Sequence, residues 1–325
     1  MRSLLSVGFA MVLGSSWSFA DYSDHPELAA LKPALIEAQY SEQSIDQIFA
    51  QAEKKQAIID AISRPAEKVL QWYDYRKIFV TEQRIREGVE FMKAQTPALE
   101  RAERELGVPS EIIAAIIGVE TYYGRIAGSY RVIDALSTLA FDYPKRAPFF
   151  QKELVAYLTL AREQNIDPLQ PVGSYAGAMG YGQFMPSSYR AYAIDFDGDE
   201  FIDIWGNPVD AIGSVANYLK RHGWKQGQPI AQALESDQFM SADWLSDGLK
   251  LPYTVAELPL PPGVIPVGLP SNASIKPLQL ETMNGPQQWL VFNNFYTITR
   301  YNHSSMYAMA VTELAEALAV GLQAQ

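Results

Sequence analysis

The sequence predicts a mainly α-helical protein of the α+β class, with a minor β portion. Apolar residues recur at helical spacing along most of the chain, and helix start and stop signals bracket those runs. Seven of the chain's 20 prolines crowd into positions 252–277, among short β-branched and aromatic runs that suit strands and loops.

In chain order, the first twenty residues read as an export signal. Arg2 is the basic head, Leu4 to Leu13 is mostly apolar, and Ser18-Phe19-Ala20 is a small-x-small cleavage site. The apolar run is shorter than the roughly 20 residues that span a bilayer, and no later stretch is expected to span one. Cleavage would leave 305 residues beginning at Asp21. The next hundred residues read as helices. Ser44 to Gln47 has the capping-box pattern, with Ile45, Ile48, Phe49 and Ala52 on one face. Thr81 can cap a helix whose inner face is Ile85, Val89 and Met92. Pro109-Ser110 opens an apolar helix reaching Tyr123, and Lys145 to Glu163 continues the pattern through Phe150, Leu154, Tyr157, Leu158 and Ala161. Asn207-Pro208 starts another helix, which Gly223 stops. Tyr253-Thr254-Val255 and Trp289 to Phe292 read as strands, and helical signal returns from Ser305 to Leu322.

Composition narrows the classes of function. The chain has no cysteine, so an exported form relies on its core and any bound ion, and carries no cysteine for a lipid anchor. Arg2 is the only charged residue of the leader, so cleavage moves the net charge from −11 to −12. Such a chain is a poor partner for nucleic acid or an anionic membrane.

One acid lies where acids are costly. In Ser110 to Gly124 the apolar stripe is Ile112, Ile113, Ile116 and Ile117. Glu120 falls about 20° from Ile113 and about 40° from Ile116 around the helix, while Glu111 lies about 180° away on the expected solvent face. A carboxyl among apolar and aromatic groups has a raised pKa, as a general acid near neutral pH requires. A structural ion pair with Arg125 or Arg131 is the competing reading. A second segment, Gly173 to Ser188, packs four glycines and several aromatic residues into sixteen positions. Small residues let backbone approach a ligand, aromatic faces stack on sugar rings, and Gln183 both donates and accepts hydrogen bonds. The same composition also suits a tight helix-packing loop.

At these segments the sequence resembles the lytic murein transglycosylase B family. The resemblance rests on Val119-Glu120-Thr121, Gly124-Arg125, Gly177 to Ser188, and Asn207 to Tyr218. It is densest from Leu106 to Trp224. It implies a lysozyme-like helical core at 106–224, a helical subdomain at 21–105 joined by about 303–325, and a small antiparallel β subdomain at 225–302. It also implies non-hydrolytic cleavage of the β-1,4 bond between N-acetylmuramic acid and N-acetylglucosamine in peptidoglycan, with Glu120 as catalytic acid/base. Ser174, Gln183, Phe184, Tyr218, Tyr75, Tyr301, Asn302 and Tyr307 would line the groove. Lys145 and Arg146 stand where family members tend to show two arginines, and Lys145 lacks the bidentate fork. Peptidoglycan glycan strands would be the substrate, in the periplasm, with cell-wall synthesis or remodelling proteins as further partners and no organic cofactor. Peptidoglycan carries carboxylates, so a groove on so acidic a chain needs local basic relief. A hydrolase normally needs two carboxylates, and Asp134 and Asp142 remain candidates for a second. Hydrolytic muramidase and non-catalytic peptidoglycan binding are the rival functions.

A separate loop, Asp195 to Asp203, puts carboxylates at positions 1, 3, 5 and 9 of an EF-hand-type site, with the Phe201 carbonyl at 7. Glu200 replaces the usual glycine at position 6, and Gly206 stands at position 12. Asp210 would close the site, as in the lengthened loop that the resemblance implies. Asp195, Asp197, Asp199, Phe201, Asp203 and Asp210 are thus the expected ligands of a structural Ca2+. A solvated acidic turn is the alternative.

Overall fold

Four of the α-helices among the described residues begin at a residue whose side chain accepts from a free first-turn amide. The computed structural model describes residues 21–63, 70–235, 238–260 and 263–324, so the expected export signal lies outside the described residues. Six helices come first: α1 (Leu28–Glu37), α2 (Glu42–Phe49), α3 (Gln56–Ser63), α4 (Trp72–Phe79), α5 (Glu82–Ala94) and α6 (Thr96–Leu106). Then follow α7 (Ser110–Thr121), α8 (Val132–Asp142), α9 (Ala147–Glu163), α10 (Pro186–Tyr192) and α11 (Pro208–Arg221). Strands β1 (Tyr130–Arg131) and β2 (Val172–Gly173) pair antiparallel among them. Strands β3 (Ala231–Ala233), β4 (Tyr253–Thr254), β5 (Ser274–Thr282) and β6 (Gly285–Val291) make one antiparallel sheet in the order β3-β6-β5-β4. The chain ends in α12 (Asn293–Tyr301) and α13 (Ser305–Gln323).

Thr81 caps α5 by accepting from the Arg84 amide, and Asn207 caps α11 by accepting from Val209. The cap of α2 is Ser41, three residues before the expected Ser44; Ser41 is extended and its hydroxyl accepts from the Ser44 amide. Helix α12 has no counterpart among the helices expected from the sequence. Its buried face includes Asn294 and Thr297, and the Asn294 side chain bonds the Lys225 amide and the Lys225 and Gln228 carbonyls. Phe295 and Ile298 are buried on the same helix, so an apolar i, i+3 signal was present, mixed with polar residues whose burial depends on hydrogen bonds.

Helix α7 is the axis of the fold. Ile112 to Val119 are all buried, because α5, α6, α11 and α13 pack around it. Glu111 is therefore half-buried rather than on a solvent face, and burial raises its pKa. Helix α13 is long and apolar enough to cross a membrane, contrary to the expectation for later segments. Its apolarity has another use, since Tyr307, Val311, Leu314 and Leu318 are buried and α13 packs on α4, α5, α7 and α12. The helices share one continuous core. The sheet has a small core of its own on one face, including Leu234, Leu258, Ile275, Leu290 and Phe292.

Candidate active site

Glu120, half-buried, follows the buried run Ile112 to Val119 of α7, and the chain reverses just after Thr121. Tyr122, Tyr123 and Gly124 take positive φ of 53°, 59° and 87°, so the helix stops at Thr121 rather than at Tyr123. Left-handed non-glycine residues cost about 1–3 kcal/mol each and persist only where the surroundings over-determine them. Here the Tyr123 hydroxyl donates to the Arg84 carbonyl, and the Arg84 guanidinium lies 4.6 Å over the Tyr122 ring. Gly124 also tolerates no side chain: a Cβ there would sit 2.1 Å from the Tyr181 ring. Thr121, which the sequence marks as part of the Val119-Glu120-Thr121 motif without a role, holds the turn to the glycine-rich segment. Its hydroxyl accepts from the Gly124 amide and lies 2.9 Å from the Tyr181 carbonyl.

The ion-pair reading of Glu120 fails. Arg125 pairs with Glu87, and Arg131 pairs with Asp134 at 2.8 Å. Instead the Tyr307 hydroxyl donates to Glu120 Oε1 at 2.6 Å, across 187 residues of chain. Burial pushes the Glu120 carboxyl up to about 7, and the Tyr307 hydrogen bond partly offsets this by favouring the anion. Burial and the Glu120 charge raise the Tyr307 phenol, so it stays a donor. Burial raises the Tyr75 and Tyr301 phenols as well, and the nearby Glu120 charge adds to the rise. Among the described residues no second carboxylate acts on Glu120. Asp134 is held by Arg131 and the Glu53 amide, and Asp142 by Tyr22 and Lys54.

The expected groove residues divide by exposure. Tyr307, Phe184 and Tyr218 are 2%, 3% and 8% exposed, so they form a floor rather than an open lining. Tyr301 and Tyr218 meet edge to face at 4.7 Å, Phe184 packs within 6 Å of both, and the Tyr301 hydroxyl donates to the Gly182 carbonyl at 2.6 Å. His222, which sequence reasoning did not single out, stacks on Tyr218 at 3.9 Å; its i, i+4 spacing on α11 was the available signal. Gln183 (φ 50°) spends its amide nitrogen on the Ala127 and Gly180 carbonyls, which leaves its carbonyl oxygen for a ligand. The Ser174 oxygen accepts from the Ala176 and Ala178 amides, which leaves its proton. Asn302 is exposed at the end of α12. Lys145 and Arg146 sit on the exposed turn into α9, with the Arg146 guanidinium 4.5 Å over the Phe149 ring.

In the acidic loop, oxygens of Asp195, Asp197 and Asp210 gather within 4.8 Å of one another. Asp210 is buried and accepts from the Phe196 and Asp203 amides. Asp199 and Asp203 turn oxygens onto nearby amides, Phe201 for one and Trp205 and Gly206 for the other. Glu200 takes φ 71° at the position where an EF-hand loop uses glycine. Three converging carboxylates with all-oxygen donors fit a hard divalent cation. The loop is keyed to the active-site side of the fold through Phe196, under which Gly213 of α11 leaves no room for a Cβ.

Residues 23–316 match the transglycosylase SLT domain. The chain belongs to this lytic transglycosylase family. It is 43% identical to the membrane-bound lytic murein transglycosylase B of Escherichia coli over 313 residues, covering 92% of this chain and 84% of that protein. The solved catenated lytic transglycosylase SltB1 of Pseudomonas aeruginosa superposes with a TM-score of 0.87 at 47% identity, over 93% of this chain and all of that one. The E. coli lytic transglycosylase Slt35, solved in complex with calcium, gives 0.84 at 42% identity over 94% and 96%. The transglycosylase fold here is mainly helical and lysozyme-like, as the motifs implied.

Proposed function

We propose that this transglycosylase cleaves the β-1,4 bond between N-acetylmuramic acid and N-acetylglucosamine, with Glu120 as acid and then base. The observation that carries the reading is a single carboxyl, raised to about 7, bonded to Tyr307 and free of any ion pair among the described residues. In the first step the Glu120 proton passes to the glycosidic oxygen as the C1–O bond breaks. The 6-hydroxyl of the same muramic acid then closes on C1 and gives its proton to the Glu120 carboxylate. The nucleophile belongs to the substrate, so one carboxylate suffices where a hydrolase uses two. Ser174 and Gln183 supply hydrogen bonds to the sugar, and Tyr75, Tyr301 and Asn302 flank it over the Phe184–Tyr218 floor. Lys145 and Arg146 offer charge to the strand at the turn into α9.

Digestion of purified peptidoglycan should release muropeptides ending in 1,6-anhydromuramic acid, one water lighter than hydrolytic products. Mass analysis of the digest reads this directly, and predominantly reducing ends would select the muramidase reading. The free enzyme must hold the Glu120 proton, so kcat/KM should be flat below about pH 7. Above it the rate should fall by about tenfold per unit. A profile that stays flat to pH 9 would remove Glu120 as the acid.

Calcium is the ion proposed for Asp195, Asp197 and Asp210, and its role is to hold the loop. The periplasm, reached by cleavage after Ala20, is the proposed compartment, and peptidoglycan strands are the proposed partner.

A further inference from the structure

Peptidoglycan carries carboxylates and this chain is strongly acidic, so the substrate's negative groups need a cation to meet. One buried cation has no task in the site described above. Lys276 in β5 is only 4% exposed. Strand alternation puts it on the face of Leu278, which packs into the main helical core, and opposite Ile275, which packs into the small β core. Its ammonium therefore points between the sheet and the helical body.

An ammonium has three donors. Among the described residues it makes one hydrogen bond, to the Gly248 carbonyl, and no ion pair. Asp247 acts on it by charge, without closing to a salt bridge, and burial lowers the Lys276 pKa. A buried cation left with spare donors is costly unless something completes its shell.

The spare donors border a cavity of about 330 Å3, walled by Leu245, Ser246, Asp247, Gln279 and Ser305 besides Lys276. That volume is of the order that small ligands or ligand fragments fill. Its position ties it to the catalytic machinery. Ser305 opens α13, and the neighbouring Ser304 hydroxyl caps the Tyr307 amide. Tyr307 in turn donates to Glu120. From the other side, α4, which carries Tyr75, packs on β5.

We propose that Lys276 and this cavity form a peptide subsite, in which the ammonium binds a carboxylate of the stem peptide carried by the muramic acid. The exposed Asp247 at the rim favours a peptide that also bears a free amine over a simple polyanion. This assignment rests on the reading of the chain as a peptidoglycan transglycosylase. It makes that enzyme a reader of the peptide as well as the glycan.

The test compares kcat/KM on peptide-bearing glycan strands with kcat/KM on the same strands stripped of stem peptide by an amidase. Lys276→Met keeps the aliphatic stem and removes the charge. It should cut the ratio of the two constants by about tenfold, the scale of one charge-assisted hydrogen bond, mainly through KM. A parallel fall on both substrates, or an unchanged ratio, overturns the proposal. A third arm needs no variant and so survives any folding defect. Wild-type enzyme should show a KM about tenfold higher on strands whose stem carboxylates have been amidated, and an equal KM overturns the subsite. Failure of the underlying reading looks different, because wild-type enzyme would then form no anhydro ends on either substrate.

Discussion

Glu120→Gln should stop peptidoglycan digestion while leaving the fold and glycan binding intact, and should make the protein more stable above neutral pH. Gln keeps the shape and can still accept from Tyr307, but it cannot deliver and recover a proton. General acid–base catalysis is worth roughly 10²–10⁴ in rate, and here one group performs both roles. Near-wild-type lysis by the purified variant would defeat the assignment. The stability effect has the opposite sign to the usual carboxylate. The folded Glu120 holds its proton to about pH 7, whereas the unfolded one releases it near 4.5. Between those values the folded state binds more protons, so stability present below about 4.5 is lost as pH rises through about 7. The loss approaches about 3 kcal/mol, an upper bound because the side chain keeps a solvent-facing edge. Gln does not titrate. Melting curves of wild type and variant should therefore coincide most closely near pH 4.5 and separate towards pH 8, with the variant higher. A constant offset across that range would mean that Glu120 is not held protonated.

The second large effect concerns the loop. Calcium added to chelator-stripped protein should raise the melting temperature, and Asp197→Asn should remove most of that gain. The substitution is chosen for what it spares. Asp197 is exposed, and its two oxygens accept separately, Oδ1 from the Asp199 amide and Oδ2 from Asn207, so the single oxygen of an asparagine keeps one of the two bonds. Asp195 and Asp210, by contrast, each organise several loop amides, so removing either would disturb the loop with or without an ion. An ion bound only to the folded state at about a hundredfold excess over Kd stabilises it by roughly 2.7 kcal/mol. For a chain of this size that is about 4 °C. Phe196 couples the loop to α11, which carries Tyr218, so activity well below the melting point should fall modestly and by much less than in Glu120→Gln. An unchanged melting curve in millimolar calcium would return the loop to a solvated acidic turn. Complete inactivation of a folded Asp197→Asn protein would instead make the ion catalytic.

What the sequence determined by itself was whatever short-range free energy encodes. The caps at Thr81 and Asn207, the apolar wheel that aims Glu120 inward and the run of acids from Asp195 can all be read within a few turns of chain. Local chemistry also misled where two candidates stood close together, as when Ser41 rather than Ser44 took the cap of α2. The tertiary structure decided who meets whom. Arg125 lies five residues from Glu120 and still pairs with Glu87 on α5, while Tyr307 arrives from α13 to hold the acid. Helix α12 buries Asn294 and Thr297 beside Phe295 and Ile298, and Lys276, a polar residue in the proline-rich stretch, is enclosed in a sheet whose β5 packs on α4. Pairings of this kind depend on how finished helices and strands pack, and no residue's near neighbours in sequence carry that information.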